Sequence, residues 1–349
     1  MFDKDKSVRR MIRAGFGKNP LEGNFYYDAS DRMDRVARFH AVEKENVSEE
    51  LLVDDITWND LEMDQVFLRM NHTNSFVGEQ MLYHKLHVLD LGKDQKKADT
   101  FKARLAYLEK HESEREDMEV NLCKIGKNRN AYYLAEFLYQ SERWKIGNSL
   151  FYLTLQLLFF GLFLSALVFD KEILLGLAGL SALVNLSVYL YTKSKYEVYL
   201  ESLADFCRIY HFATFMEKHY KDNDLFLPSS VRDAIHALKG MNRIARGLNV
   251  KKQNTMTGDV LALLYDYIWG VTLFDVSLFN RIMKVINNKE DEVLTLFAYA
   301  GQMDLLVSVL SYRKSMGIYC EPDFGGEEMR ALELAHPILP APVRNDFTL

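Results

Sequence analysis

Two stretches without a charged residue, set back to back, most constrain what this chain can become. Residues 148–169 (NSLFYLTLQLLFFGLFLSALVF) contain no Asp, Glu, Lys or Arg, and neither do residues 173–192 (ILLGLAGLSALVNLSVYLYT). Each is about 20 residues long, the length a helix needs to cross a hydrocarbon core. Only Asp170, Lys171 and Glu172 separate them, so the two helices would lie antiparallel as a hairpin. Both are apolar nearly all round, whereas a surface helix keeps a polar stripe. Gly161, Gly176 and Gly179 are of a type common in membrane helices, and Asn185 is the one strongly polar residue of the second run. Arg143 and Lys145 flank the entry, and Lys193 and Lys195 the exit. The positive-inside bias then places both ends in the cytoplasm and the Asp-Lys-Glu turn outside. The expected location is the cytoplasmic membrane, with the soluble part on the cytoplasmic side. The alternative is a core hairpin of a soluble helical protein.

Outside these runs the chain is ordinary and well charged. It has 349 residues, a formal net charge of -6 and 26% charged residues, room for two or more domains. A net acidic balance argues against a strong sequence-independent grip on nucleic acid, which needs a basic patch. Cys123, Cys207 and Cys320 are odd in number and form no Cys-x-x-Cys, so neither a disulfide framework nor a structural zinc site is supported. The basic N-terminus lacks an apolar h-region and is no secretory signal. With Val8, Met11 and Ile12 among Arg9, Arg10 and Arg13 it reads as a frayed basic tail or, alternatively, a surface-lying helix.

Helical spacing organises the rest. Met33, Val36 and Phe39 share a face, as do Met63, Val66, Phe67 and Met70. Asn59 or Asp60 is expected to cap the latter helix, and the 71–75 cluster Asn-His-Thr-Asn-Ser to turn the chain and cap the next. Gly78 near that helix's first turn points to a close approach by another backbone. Residues 126–130 read as a break. Residues 193–220 read as one long helix with a seam at Tyr196, Leu200, Leu203, Cys207 and Tyr210. Ser230 with Asp233 suggests a capping box, with a helix running to about Arg246. Residues 259–287 are apolar enough for a buried helix pair or one long helix.

Residues 60–87, an acidic-apolar helix, an Asn/Thr-rich turn, a glycine and a second helix, resemble the start of the lever (core) domain of MutS-type DNA mismatch repair ATPases. Four later elements resemble the same family in order and spacing: Asp304-Leu305-Leu306-Val307-Ser308, Glu321-Pro322, His336-Pro337-Ile338 and Val343-Arg344-Asn345-Asp346. The resemblance implies a helical lever followed by a β segment that begins an ATPase domain. It implies ATP and Mg for the full-length protein, and a homodimer. No Walker A loop, Gly-x-x-x-x-Gly-Lys-Ser/Thr, occurs here; Gly15-Phe16-Gly17-Lys18-Asn19 lacks its spacing and its hydroxyl. The sequence is therefore expected to be an N-terminal fragment, or a homologue without its motor. No Phe-x-Glu mismatch wedge precedes the lever-like region, and the apolar hairpin stands where the family inserts its DNA clamp.

The expected fold is all-α: an elongated helical lever with an inserted two-helix membrane hairpin and a short C-terminal β segment. Its divisions are a lead-in at 1–53, lever helices at 54–143, the hairpin at 144–195, further lever helices at 196–330, and the start of an ATPase domain at 331–349. The expected function is the lever of a membrane-anchored MutS-like ATPase; the alternatives are a helical membrane scaffold or adaptor without nucleotide chemistry, and a soluble DNA-repair clamp. No catalytic, cofactor-binding or metal site is expected within these residues, and no small-molecule substrate. His84 and His87 read as solvated helix-surface histidines, since a third ligand at fixed spacing is not visible. Asp304 and Ser308, four apart, read as a hydrogen-bonded pair or a helix–helix contact. Arg243, Arg246, Lys251 and Lys252 are the candidate polyanion contacts, and DNA is a partner that the net charge does not support.

Overall fold

The computed structural model describes residues 2–22, 32–89, 95–139, 149–241, 267–286, 289–323, 328–339 and 342–349. In chain order its longer helices are α1 (Phe2–Gly15), α2 (Met33–Glu43), α3 (Asp55–Asp60), α4 (Met63–Met70), α5 (Phe76–Leu86), α6 (Gln95–Lys110), α7 (Glu112–Ile125), α8 (Leu134–Tyr139), α9 (Ser149–Phe169), α10 (Glu172–His219), α11 (Ser229–Ala237), α12 (Phe274–Ile286) and α13 (Glu290–Met316). Two short strands, β1 (Arg330–Leu334) and β2 (Asn345–Thr348), follow and pair antiparallel, with Arg330 opposite Thr348 and Leu334 opposite Asn345. The protein is thus mostly helical with a small two-stranded sheet near its C-terminal end.

The chain divides into two compact units. The first comprises Met1–Lys127, Phe215–Pro228 and Phe297–Leu349; the second comprises Asn128–Thr214 and Ser229–Leu296.

In the first unit, α2 and α5 pack on the later part of α13. Val36, Phe39, Phe76, Val77, Phe297, Ala300 and Met303 are all at least nine-tenths buried. The Phe39 ring lies 5.1 Å from Phe297, centroid to centroid, within the range where aromatic pairs add to their burial. The N-terminal helix is neither frayed nor free. Ile12 is buried, Arg13 forks onto Glu116 of α7 at 2.6 and 2.8 Å, and Arg9 pairs with Asp117. The cap expected at Asn59 or Asp60 does not form, because both residues lie inside α3. Asp54 caps α3 by accepting from Ile56 N and Thr57 N at 2.9 Å. Glu62 then turns left-handed (φ 51°) before α4, which has no side-chain cap. Ser75 caps α5 as expected, accepting from Gly78 N at 3.2 Å.

In the second unit, α9 and α10 meet at Asp170, whose φ of 50° makes the reversal. The second apolar run and the helix read after it are one continuous element, α10, 48 residues long. Of the seam read on it, Cys207 and Tyr210 are buried. The helix expected to open at a Ser230 cap already includes Ser229. The 259–287 region, where described, is two helical pieces, 267–272 and α12, separated by a left-handed Leu273 (φ 50°). α12 presents Val276, Phe279, Ile282 and Ile286 to the core, all at most 1% exposed.

Candidate functional site: a buried polar junction and an uncovered apolar hairpin

Three described helices are long and apolar enough to cross a membrane: Ser149–Phe169, Glu172–Lys193 and Glu290–Met316. Burial separates them. The most apolar windows of the first two are 11% and 22% buried, and that of the third is 72% buried. Leu150, Leu157, Leu164, Leu167, Phe169, Ile173, Leu180 and Leu183 all stand more than half exposed on the hairpin. Contiguous apolar surface on that scale is not what a soluble monomer leaves in water. α13, by contrast, spends its apolar surface inside the protein.

The inward face of α13 also carries a polar stripe at four- and three-residue steps: Asp304, Ser308, Ser311 and Ser315. Every member holds the segment that runs from the end of α4 to the start of α5. Asp304, wholly buried, accepts from Asn74 N at 2.9 Å, Ser75 N at 2.8 Å and Ser75 Oγ at 2.5 Å. Its carboxylate therefore sits on the first turn of α5, where unpaired amides and the helix dipole favour an anion. Ser308 Oγ donates to Met70 O at 2.7 Å and accepts from His72 N at 3.0 Å. Ser311 Oγ accepts from Gly17 N at 2.9 Å and lies 2.8 Å from His72 Nδ1. Ser315 Oγ accepts from Arg69 at 3.0 Å. Asp304 and Ser308 thus do not pair with each other; both bond to the turn, which is the helix-contact branch of the sequence reading.

Gly78 is explained by the same junction. A β-carbon there would lie 2.2 Å from Asp304 Oδ2, and one at Gly301 would lie 2.9 Å from Val77 O. The close approach at Gly78 is by a carboxylate side chain, not by a backbone; the backbone approach is at Gly301.

One turn further along α5, Glu79 is fully buried. Arg32 forks onto it at 2.9 and 2.6 Å, and Asn71 Nδ2 and Lys127 Nζ each donate at 2.8 Å. Burial works against its charge, but Lys127 and Arg32 outweigh it and hold Glu79 down at about 2. Asp304 has hydrogen bonds and no direct ion pair in that network, so burial dominates and lifts it to about 6. Burial likewise lifts Glu119 of α7 to about 7, against the pull of Arg115. A cavity of about 780 Å³ borders this turn, with Asn71, Thr73, Glu119, Cys123 and Lys127 on its wall. Burial pushes the Cys123 thiol up to about 12, which leaves it without thiolate character.

His84 and His87 are not solvated. Both are more than nine-tenths buried, in an aromatic cluster with His40 from α2 and Trp58 from α3. His40 Nδ1 and His84 Nδ1 are 3.1 Å apart, so one of the two rings donates and the other accepts. His87 stacks on Trp58 at 3.5 Å between centroids and on His40 at 4.2 Å. Its Nδ1–H donates to Tyr83 O at 2.9 Å. Burial lowers all three, His40 and His84 to about 4. Among the described residues no cluster of His, Cys, Asp and Glu has the arrangement of a metal site.

Of the residues singled out by sequence, Lys193 lies on α10 with its ammonium 5.5 Å from the Tyr189 ring centroid. Lys195 lies within α10, but its side chain is outside the described set. Arg143, Lys145, Arg243, Arg246, Lys251 and Lys252 are outside the described residues. Sequence reasoning missed Gln156 and the Leu273 corner. Gln156 Nε2 donates to Thr272 O at 2.7 Å and Leu273 O at 3.0 Å, and Asn185 Nδ2 donates to Val271 O at 2.8 Å. A glutamine inside an otherwise apolar run was the available signal.

No protein-family model, curated protein or solved structure matches this chain.

Proposed function

We propose that this chain is a membrane-anchored helical coupling module. α9 and the first half of α10 form a bilayer hairpin with both ends on the cytoplasmic side, and the first unit is a lever of the MutS-like kind. The observation that carries the membrane part is the contrast in burial: two charge-free helical runs stay uncovered in a protein that buries a third helix of comparable length. Leaving some twenty large apolar side chains in water would cost far more than a bilayer, in which they are at home.

The lever part is supported by the junction. Two of the stretches on which the family resemblance rests, residues 60–87 and the Asp304–Ser308 stripe, bond directly at Asn74 and Ser75, about 230 positions from Asp304. The β1–β2 pair adds a second support. Its residues are nearly all exposed, and a lone two-stranded sheet is marginal in water, so it suits a sheet that continues elsewhere. In this reading ATP and Mg are held by a domain with a Walker A loop, which these residues do not contain. Homodimerisation follows from the same family logic, and the hairpin directs lever motion at a bilayer or membrane partner rather than at DNA.

Flotation with lipid vesicles followed by alkaline carbonate extraction tests the anchor. The expected result is carbonate-resistant membrane association; a monodisperse protein without detergent would overturn it. The lever is tested by amide exchange at residues 70–76 in the natural product with and without ATP. Nucleotide-dependent protection there is expected. Unchanged exchange in a product that binds no ATP would leave the scaffold reading in its place.

A further inference from the structure

Gln156 and Asn185 are the two amide side chains among the described residues of the hairpin, and both are used on one target. Gln156 lies thirteen residues before Phe169, and Asn185 thirteen residues after Glu172. At 1.5 Å per residue each is roughly 20 Å from the Asp170 reversal, so the two amides are level. Between them they donate to three consecutive carbonyls, those of Val271, Thr272 and Leu273. Val271 and Thr272 end the helical piece 267–272, and Leu273, at φ 50°, breaks it before α12; the Leu273 carbonyl also accepts from Ser277 N at 3.2 Å. Gly270 lets this piece lie flush on α10: a β-carbon there would be 2.8 Å from Tyr189 Cδ1. Tyr267, Ile268 and Phe274 meanwhile face outward, 57%, 57% and 43% exposed.

We propose that residues 267–274 are a third membrane-embedded element, a re-entrant corner that enters the bilayer beside the hairpin from the side on which the hairpin begins and ends. This rests on the bilayer reading of α9 and α10. Lys193, at the end of the apolar window, marks the near interface about 30 Å from the reversal, so the amides lie roughly 10 Å inside the hydrocarbon. At that depth no water is present to satisfy a broken helix end. Irregular backbone survives there only when protein groups pair with it. The two amides supply that pairing, which gives a reason for an otherwise unfavourable glutamine and asparagine in charge-free spans. The outward Tyr267, Ile268 and Phe274 then continue the hairpin's apolar surface and contact acyl chains.

Two single-tryptophan proteins test this, both with Trp58, Trp144 and Trp269 replaced by Phe. One carries Ile268→Trp at the corner; the other carries Phe160→Trp on the hairpin. Each is reconstituted in phosphatidylcholine vesicles, and its fluorescence is read against lipids brominated along the acyl chain and against aqueous iodide. The expected result is loss of emission to brominated lipid and little loss to iodide at both positions, with shallower bromines most effective at the corner. Quenching by lipid at Phe160→Trp but by iodide at Ile268→Trp would overturn the corner and leave the anchor standing. Iodide quenching at both would remove the anchor as well. A protein retaining Trp269 alone repeats the corner measurement without a new side chain. Adding Gln156→Leu to it should raise iodide quenching there, as the unpaired carbonyls draw the corner toward water; unchanged quenching would contradict the pairing role.

Discussion

α9 and α13 look alike as strings of letters and live in opposite surroundings. Both are long and apolar enough to cross a membrane, yet the apolar window of one is 11% buried and that of the other 72%. The difference lies in their polar residues. α13 carries Asp304, Ser308 and Ser311 on one stripe, each with partners on a fixed turn. α9 carries Gln156, which serves backbone carbonyls of a neighbouring corner. A hydrophobic helix is made a core helix by what its few polar groups can reach, more than by its mean apolarity.

The sharpest way to break this contrast is Asp304→Ala. It would leave Asn74 N, Ser75 N and the proton of the Ser75 hydroxyl without their acceptor in the interior, and should destabilise the first unit by about 3–5 kcal/mol, read from urea unfolding in detergent. Charge placed on each helix in turn should separate their fates. Leu164→Arg on α9 should cost about 2.5–3.5 kcal/mol of membrane insertion and lower the carbonate-resistant fraction, with unfolding of the first unit unchanged. Leu306→Arg on α13 should do the reverse.

Acid should act next, and on the first unit. The folded-state values of His40 and His84 are lowered to about 4 and that of His87 is lowered too, against about 6.5 in an unfolded chain. The folded state therefore binds fewer protons than the unfolded one. The stabilising contribution of the neutral rings is complete above pH 6.5 and is lost as the pH falls toward 4. Lys44, Asp55, Asp64 and Lys85 also act on this cluster. Asp304 and Glu119, raised to about 6 and about 7, work with the opposite sign, since the folded state holds their protons more tightly. His84→Gln should thus flatten the acid limb of a stability-against-pH curve; an unchanged limb would exclude the histidine cluster as its source. The smallest effect should come from Ser181→Ala. The Ser181 hydroxyl is buried without a partner, so its removal should change thermal stability by no more than about 0.5 kcal/mol, whereas Ser308→Ala should cost about 1–3 kcal/mol.

Local features were legible in the sequence, and long-range partners were not. The hairpin could be read because run length and absence of charge are local properties, and the structure's uncovered helices fall at those positions. The Asn71–Ser75 turn and the Asp304–Ser308 spacing were each visible, but only folding brings them together. His84 and His87 were misread because their surroundings come from His40 and Trp58, tens of residues away. The Leu273 corner gave no signal, since leucine rarely takes a left-handed φ and neither Gly nor Pro marks the break. The cap read at Asn59 or Asp60 is a lesser case: both residues fall inside a short helix of their own, capped by Asp54, and the helix from Met63 begins at a left-handed Glu62 that no local pattern marks.

The Asp304 junction also bears on the order in which the chain is made. Residues up to Lys127 leave the ribosome first, but the carboxylate that fixes the start of α5 is synthesised about 230 residues after the amides it binds. The first unit therefore waits, its core open, while the whole apolar hairpin emerges. Contacts of such sequence separation close late. On the bilayer reading proposed above, the hairpin would meet the insertion machinery before the first unit could lock, so delivery to the bilayer would come before completion of the fold.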